Sequence, residues 1–152
     1  MSAARPVFRR LLVPVDFSAP SEEAWLTARR LARVIGSELV LVHVFVEGPF
    51  FSEGPFTVSH VREVYESSRA WVDKMLEQWA TEARAEGLSV RTLVRTGVPY
   101  REIVATAVDE RADLIVMGTH GRGGVDRVLL GSVADRVIRQ APCPVLAVRE
   151  PA

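Results

Sequence analysis

The sequence predicts a small α/β protein with a doubly wound, five-stranded parallel sheet and helices on both faces. Five short apolar runs, rich in β-branched residues, alternate along the 152-residue chain with four segments of helical periodicity. The second run, Glu38 to Val46, is too continuously apolar for a strand with one face in water and suits a strand buried on both faces. Strands that alternate with helices imply right-handed crossovers and a parallel sheet covered on both sides.

The first part of the chain predicts a strand, a helix and a second strand. Arg10 to Val15 is a short apolar run that ends at Asp16, and the serines, proline and glutamates that follow mark a helix start. Apolar residues on one helical face continue to Ile35, and Gly36 lies where a helix end favours glycine. The run Glu38 to Val46 is then the second strand.

The middle of the chain interrupts this alternation once. The segment Glu47 to Ser59 has glycines, prolines and three phenylalanines, and predicts an irregular loop. A long helix follows and ends at Gly87, and the alternating stretch Leu88 to Arg95 is typical of an edge strand. The apolar stripe of the long helix comprises Val61, Val64, Tyr65, Ser68, Val72, Met75, Leu76, Trp79 and Ala83.

The last part predicts two more pairs of helix and strand. The stretch Gly97-Val98-Pro99 opens a helix that runs to about Glu110, and Leu114 to Met117 forms the fourth strand. Ser132 to Gln140 forms the fourth helix, and Val145 to Val148 forms the fifth strand. The residues of these two helices expected to face inward are Ile103, Val104, Ala107, Val108, Val133, Ala134, Val137 and Ile138.

Composition and charge indicate one domain over residues 1–152, and a cytoplasmic protein. A hydrophobic content of 48% and a charged content of 25% are ordinary for a soluble globular domain. The net charge of zero argues against nucleic-acid and membrane-surface partners, which require a strong positive field. No apolar run resembles a membrane span or a signal-peptide core. The single cysteine, Cys143, excludes an intramolecular disulfide and is predicted to be a buried, inert thiol.

The most unusual stretch is the loop after the fourth strand, Gly118 to Gly124, which reads GTHGRGG. Glycine loses the most backbone freedom on folding, so a loop this rich in glycine requires a physical reason. In open parallel sheets, ligands bind outside the carboxyl ends of the strands, where the strand order reverses. This loop and Asp16, at the carboxyl end of the first strand, are therefore candidates for one crevice.

The residues that follow the loop favour a phosphate-bearing ligand. Gly131 and Ser132 lie at the start of the fourth helix, whose unpaired N–H groups and partial positive charge attract an anion. Ser132 adds a hydroxyl donor, and Arg122 and Arg127 add positive charge. The alternative is that the glycines serve only turns and close packing, and the spacing alone does not decide between the two.

Two common nucleotide-binding motifs are absent from the sequence. No lysine follows the glycines as in a phosphate-binding P-loop, and the one lysine, Lys74, lies in the long helix. The dinucleotide fingerprint belongs in the first strand–helix turn, and that turn, Asp16 to Pro20, has no glycine. The usual nucleotide-hydrolysis and nicotinamide machineries are therefore disfavoured.

The spacing Gly118-x2-Gly121-x9-Gly131-Ser132 resembles the nucleotide-binding signature of the universal stress protein family, in its ATP-binding branch. Further blocks are similar to that family in the same order along the chain, so the resemblance covers nearly the whole sequence. They are LVPVDFS (12–18), LVHV (41–44), ADLIVMGTHGRGG (112–124), LGSVA (130–134) and CPVL (143–146).

The resemblance implies the strand order 3-2-1-4-5, a homodimer formed through the last strand at about residues 145–149, and ATP across strands one and four. Mg²⁺ often accompanies the nucleotide in the family, although no carboxylate of this chain is evidently committed to it. No catalytic residue is assigned. Carried over to this chain, the adenosine end would be lined by Pro14, Val15, Asp16 and the backbone of Val44, the ribose and phosphates approached by Met117 and Gly118, and the phosphates cradled by Gly121, Arg122, Gly131, Ser132 and Val133.

Several side chains have a second interpretation. Asp16 is either a helix cap or a ligand contact, and we favour the contact. His120 has no evident nucleophile or carboxylate partner in the sequence, so a loop-ordering or ligand-edge role is favoured over catalysis. His43 is predicted to be a core histidine with a satisfied hydrogen bond. The phenylalanines of residues 47–59 are expected to pack over the sheet edge or a dimer partner rather than form an exposed patch.

The favoured functional hypothesis is an ATP-binding, dimeric regulatory protein of the stress response, in which the nucleotide biases shape or partner choice. One alternative is a slow ATPase or a phosphoryl or nucleotidyl transferase. Phosphoryl transfer needs positioning and charge stabilisation, and the sequence offers backbone donors and arginine but no evident base or metal ligand. The other alternative is a nucleotide-free dimerisation module.

Overall fold

Five parallel strands form one sheet with two helices against each face. The computed structural model describes residues 7–46, 58–120 and 129–151, with residues 58–61 described by their backbone alone. The strand order is β3-β2-β1-β4-β5, and every neighbouring pair is parallel, which confirms the predicted fold class and order. The elements are β1 (Arg10–Pro14), α1 (Ala19–Ile35), β2 (Glu38–Val46), α2 (Val58–Ala85), β3 (Val90–Gly97), α3 (Pro99–Asp109), β4 (Leu114–Gly118), α4 (Ser132–Gln140) and β5 (Val145–Val148).

The core has two layers, one on each face of the sheet. On one face, Leu11 and Leu41 are fully buried against α1 and α2. On the other face, Leu12, Val40 and Ile115 are fully buried against α3 and α4. Successive residues of a strand point to opposite faces, so strands buried on both sides need the continuous apolar runs that the sequence shows.

Glycine ends the helices on the first face, as the sequence predicts. Gly36 has a left-handed backbone with φ of 80°, and its N–H donates to the Ala32 carbonyl at 2.8 Å. Gly87 likewise has φ of 87° after α2, and Leu88 then donates to the Ala83 carbonyl. Leu88 therefore belongs to the helix cap. For this reason β3 begins two residues later than the predicted start at Leu88.

Some side chains predicted to face inward are exposed instead. Val108 and Ile138 are 57% and 43% exposed, because each lies one residue beyond a buried position and a helix turns by about 100° per residue. Val64 is 67% exposed, in the first part of α2. The predicted loop was also too long, because α2 begins at Val58 and includes Ser59. Residues 47–57, with the three phenylalanines, lie outside the described residues.

The strand register leaves a gap beside β2, at the point where β1 ends. The last residue of β1, Pro14, is paired with Val42, and Val15 donates to the Val42 carbonyl at 2.8 Å. The final four residues of β2, His43–Val46, continue past the end of β1 and pair only with β3. Since β1 lies between β2 and β4, this gap lies where the strand order reverses, which is the expected ligand position.

Among the described residues, no helix combines the length and apolar character that a membrane span requires.

Charged residues at the amino-terminal ends of the strands, opposite the gap at the end of β1, form a network. We expect this network to make the free energy of unfolding depend on pH. Burial acts to raise the pKa of Glu38, but hydrogen bonds from Arg91 (2.9 Å) and Arg10 (3.0 Å) outweigh it and hold that pKa below its ordinary value of 4.5. A carboxylate with a lowered pKa stabilises the fold above the unfolded-state pKa and loses that effect as pH falls through the folded-state pKa. We expect Glu38→Gln to cost about 1 kcal/mol at pH 7, because the group is partly solvated.

Urea unfolding of both proteins at a series of pH values tests this prediction. The difference between wild type and Glu38→Gln should be constant from pH 7 down to about 4.5 and should shrink below it. A difference that stays constant down to pH 3 would show that the network contributes through packing and not through charge.

Candidate functional site

A cavity of about 900 Å³ opens at the carboxyl edge of the sheet, over the end of β1. Its volume lies in the range of small-molecule sites. The cavity wraps around the end of β1 and so has walls on both faces of the sheet. It is lined by Pro14, Val15, Asp16, Phe17, Ser21, Val42, His43, Val44, Phe45, Val46, Ser67, Ser68, Trp71, Val72, Pro99, Ile103, Met117, Gly118, Thr119, His120, Gly131, Ser132, Val133 and Ala134.

The predicted site residues come together in this cavity. All of those that lie in the described part of the chain line it, namely Pro14, Val15, Asp16, Val44, Met117, Gly118, Gly131, Ser132 and Val133. Gly121 and Arg122 lie outside the described residues. The sequence order thus brings the ends of β1, β2 and β4 and the start of α4 to one place.

A second wall, on the face covered by α1 and α2, was not predicted. It is built from Phe17, His43, Phe45 and Trp71, with Ser67 and Ser68 at its rim. His43 and Phe45 point to this face because they alternate with Val44, which points to the other. The prediction that His43 is a core residue was therefore incomplete: Nδ1 lies 2.8 Å from the Val15 carbonyl oxygen, but the half-buried ring also lines the cavity.

Phe17 holds this aromatic wall together. Its ring centroid lies 5.3 Å from that of His43. The ring also makes edge contacts with Trp71 and Trp79, at centroid distances of 5.1 Å and 5.2 Å. Its φ is 63°, a left-handed conformation that is costly for a residue with a side chain. The contacts of the ring offset that cost, and the conformation turns the ring from the end of β1 toward α2.

Asp16 caps the turn that leads into α1 and also lines the cavity. Its Oδ1 accepts hydrogen bonds from the Ser18 N–H at 2.9 Å and from the Ser18 hydroxyl. Ser18 is the N-cap residue of α1, and its Oγ accepts from the Ser21 N–H. Asp16 therefore supports the turn in which Ser18 is the cap and also lines the cavity, and its contact with a ligand stays a prediction.

The two described glycines of the signature are required by the chain itself. A Cβ at Gly118 would lie 2.8 Å from the Pro20 backbone carbon, because α1 begins directly above this point. A Cβ at Gly131 would lie 2.9 Å from the Thr119 carbonyl oxygen, which accepts the Gly131 N–H at 2.7 Å. Close packing of neighbouring backbones, the alternative left open by the spacing, is thus an established reason for both glycines.

These tight contacts fix the start of α4 against the end of β4. The Thr119 N–H donates to the Val148 carbonyl at 3.0 Å, so the same residue is held from β5 as well. Gly131 is the N-cap residue of α4 and provides no side-chain cap. The first N–H groups of the helix at Ser132 and Val133 therefore have no intrahelical acceptor and are available to an anion in the cavity.

Comparison with known proteins identifies the family. The family model of the universal stress protein family matches residues 8–149. The chain belongs to the universal stress protein family. It is 37% identical over 150 residues to universal stress protein MJ0531 of Methanocaldococcus jannaschii, an alignment that covers 95% of this chain and 84% of that protein.

Solved structures of universal stress proteins and related chains share the fold. The structure of protein MJ0577 of Methanocaldococcus jannaschii superposes with a TM-score of 0.84 at 29% identity, over 95% of this chain and 98% of that one. A universal stress protein from Archaeoglobus fulgidus, solved in complex with dAMP, superposes with a TM-score of 0.60 at 25% identity, over 93% and 98% of the two chains.

The family resemblance implies a magnesium ion with the nucleotide. The described residues of this universal stress protein do not provide a set of ligands for it. These residues contain no group of three or more His, Cys, Asp or Glu side chains that could hold a metal. Asp16 is the one acidic residue in the described wall of the cavity, and its Oδ1 is already bonded to Ser18. Mg²⁺ is usually held by one or two carboxylates together with substrate phosphates. The described residues therefore do not form a magnesium site of the protein's own.

His120 lines the cavity, and Cys143, which was predicted to be buried, is only partly buried. The His120 Nδ1 lies 3.0 Å from the hydroxyl of its neighbour Thr119, and its Nε2 is buried without a partner in the described part of the chain. Burial, followed by the charge of Asp113, raises the pKa of the Cys143 thiol despite a backbone hydrogen bond from Ile115. A raised pKa disfavours the reactive thiolate.

Proposed function

We propose that this universal stress protein binds ATP in the cavity at the end of β1 and acts as a nucleotide-dependent regulatory protein. The observation that carries the proposal is the convergence of the predicted contact residues. Residues far apart in sequence, from Pro14 to Val133, line one cavity at the point where the strand order reverses. The dAMP complex of the Archaeoglobus fulgidus relative supports an adenine nucleotide as the class of ligand.

The cavity walls suggest how the nucleotide lies. The base and ribose occupy the end formed by Val15, Asp16 and Val44, where β2 continues past the end of β1 and the backbone of Val44 faces the ring. The phosphates lie against Ser132 and Val133, where the N–H groups of α4 and the helix dipole favour negative charge. Apolar Met117 covers the middle of the ligand.

We further propose that the protein is a homodimer that pairs through β5. This strand is at the edge of the sheet, so one row of its backbone hydrogen-bonding groups is open to a second chain. Leu146 on β5 and Ile138 on the adjacent helix are 38% and 43% exposed, which gives the edge an apolar surface. A cytoplasmic role in the stress response is part of the same proposal.

A charge placed at the start of α4 tests ATP binding without disturbing the fold. We expect Ser132→Glu to weaken ATP binding at least tenfold, because its carboxylate repels the phosphates at about 4 Å with several RT of energy. The same carboxylate is favourable at a helix N-terminus, so the thermal midpoint of the free protein should be unchanged or slightly raised. The measurement is isothermal titration calorimetry with ATP and, separately, with adenosine.

The control is Ser132→Gln, which has the same size without the charge and should retain ATP affinity within about threefold. Adenosine has no phosphate, so its binding should be equal in all three proteins. Wild-type protein at ATP concentrations about 100 times Kd should gain about 2.7 kcal/mol of stability. If wild type neither carries nucleotide after purification nor gains stability with ATP, the proposed function is wrong.

A further inference from the structure

Two arginines, one on α3 and one on α4, share one aromatic partner, Tyr100, whose neighbour Pro99 lines the cavity. The Arg136 guanidinium lies over the Tyr100 ring, 5.0 Å from its centroid. The Arg101 guanidinium lies 5.7 Å from the same centroid, and its Nε donates to the Tyr100 hydroxyl at 3.0 Å. Tyr100 itself packs on the core between the sheet and these two helices, so both cations rest on a fixed platform.

Neither arginine is used in an ion pair within the part of the chain that is described. The acidic neighbour of Arg136 in sequence, Asp135, pairs with Arg139 at 3.1 Å instead. Both guanidinium groups therefore retain N–H donors for an anion, since stacking on a ring uses none of the five donors on each and the bond to the Tyr100 hydroxyl uses one on Arg101.

The position of the pair points toward the phosphate end of the cavity. Pro99, next to Tyr100, lines the cavity, as do Ser132 and Val133 on α4. Arg136 lies one helical turn after Ser132, and helical side chains lean toward the N-terminus of their helix. This general lean favours a side chain directed toward the start of α4, and the guanidinium itself lies over Tyr100, next to the cavity residue Pro99.

Arg101 also violates a local preference. It is the third residue of α3, and a positive charge in the first turn of a helix opposes the helix dipole. Glu102 in the same turn offsets part of this cost, and natural proteins break such local rules at functional sites. An anion bound between Arg101 and Arg136 would offset the rest of that cost.

We propose that Tyr100, Arg101 and Arg136 form a clamp for the terminal phosphates of the nucleotide, so that this chain prefers ATP to AMP. The proposal rests on the function proposed above and adds to it a selection by phosphate length. The N–H groups at the start of α4 contact the nearest phosphate, which every adenine nucleotide has. Only the phosphates that follow this first one, in ADP and ATP, reach the clamp.

Calorimetric affinities for ATP, ADP and AMP at fixed ionic strength test the clamp in wild type, Arg101→Gln and Arg136→Gln. Each substitution should weaken ATP binding about tenfold, as expected for losing a charge-assisted hydrogen bond, and should change AMP binding less than about twofold. The matched control is Arg139→Gln, which removes the same charge from the same helix but from a side chain paired with Asp135. It should leave both affinities unchanged.

The outcomes separate the clamp from the nucleotide site. If wild type binds ATP and AMP but each variant weakens both equally or neither, the clamp is wrong and the nucleotide site remains. If Arg139→Gln acts like Arg136→Gln, net charge explains the effect and the clamp is again wrong. If wild type binds no nucleotide, the proposed function itself fails. Inorganic pyrophosphate alone should bind at least tenfold more weakly than ATP, and binding as tight as ATP would indicate an independent anion site and overturn the assignment.

Discussion

Gly118→Ala is expected to lower the free energy of unfolding by about 3 kcal/mol, at the upper end of the range for adding a methyl group to a packed interior. The added Cβ would lie 2.8 Å from both the backbone carbon and the Cβ of Pro20, and 2.9 Å from the Pro20 oxygen. Backbone atoms at the first turn of α1 cannot rotate away as a flexible side chain would. Relief requires that α1 move away from the end of β4, which also displaces the cavity wall at Asp16 and Phe17.

The same substitution at Gly87 is the matched control. Gly87 has φ of 87° and no atom within 4 Å of an added Cβ, so Gly87→Ala tests backbone conformation without crowding. It should cost about 1 kcal/mol. Urea unfolding of the two variants gives the comparison, with the denaturant dependence checked for equal slopes. Equal losses in the two variants would contradict the crowding that the structure shows at Gly118.

Gly118 and Gly131 therefore have a more specific explanation than ligand access alone. Gly118 lets α1 begin against β4, and Gly131 lets α4 begin against Thr119. These two contacts bring the two helix starts to the same edge of the sheet. In the proposed site, the glycines act by placing the N–H groups of α4 close to the end of β4, and the ligand then occupies the space between.

The elements were predictable because their boundaries have local physical causes. Gly36 ends α1 with a positive φ, and the predicted bounds of β2, α4 and β5 agree with the structure. β3 was misplaced because the cap after Gly87 uses the apolar residue Leu88, which sequence alone cannot distinguish from the first residue of a strand. The predicted buried faces of the helices included too many residues, because apolar residues such as Val108 also occur on the exposed side of a helix.

Half of the candidate site could be predicted from the sequence and half could not. The wall formed by Met117, Gly131 and Ser132 belongs to a motif of fixed spacing, so its residues could be named in advance. His43 and Phe45 lie in a continuous apolar strand and look like core residues. They line a cavity only because β1 ends at Pro14 while β2 continues for four more residues, and strand length relative to a neighbour is a property of the folded sheet.

Phe17→Ala is expected to lower the free energy of unfolding by about 3–4 kcal/mol, as for other large aromatic residues truncated among packed neighbours. The ring contacts His43, Trp71 and Trp79 together, so its loss removes the central contact of the aromatic wall. Tryptophan emission should shift to the red, because Trp71 is already 46% exposed and loses its edge contact with the ring. Chemical unfolding monitored by circular dichroism gives the stability, and fluorescence reports the wall.

Phe17→Gly separates the loss of the ring from the strain of the backbone. Glycine adopts φ of 63° without the penalty that alanine carries there. Phe17→Gly should therefore be about 1 kcal/mol more stable than Phe17→Ala, although glycine is ordinarily the less stable of the two. If alanine proves the more stable, the chain does not hold a left-handed residue after Asp16 once the ring is gone. The aromatic contacts would then be the cause of that conformation, and the turn at the end of β1 would owe its shape to the cavity wall it supports.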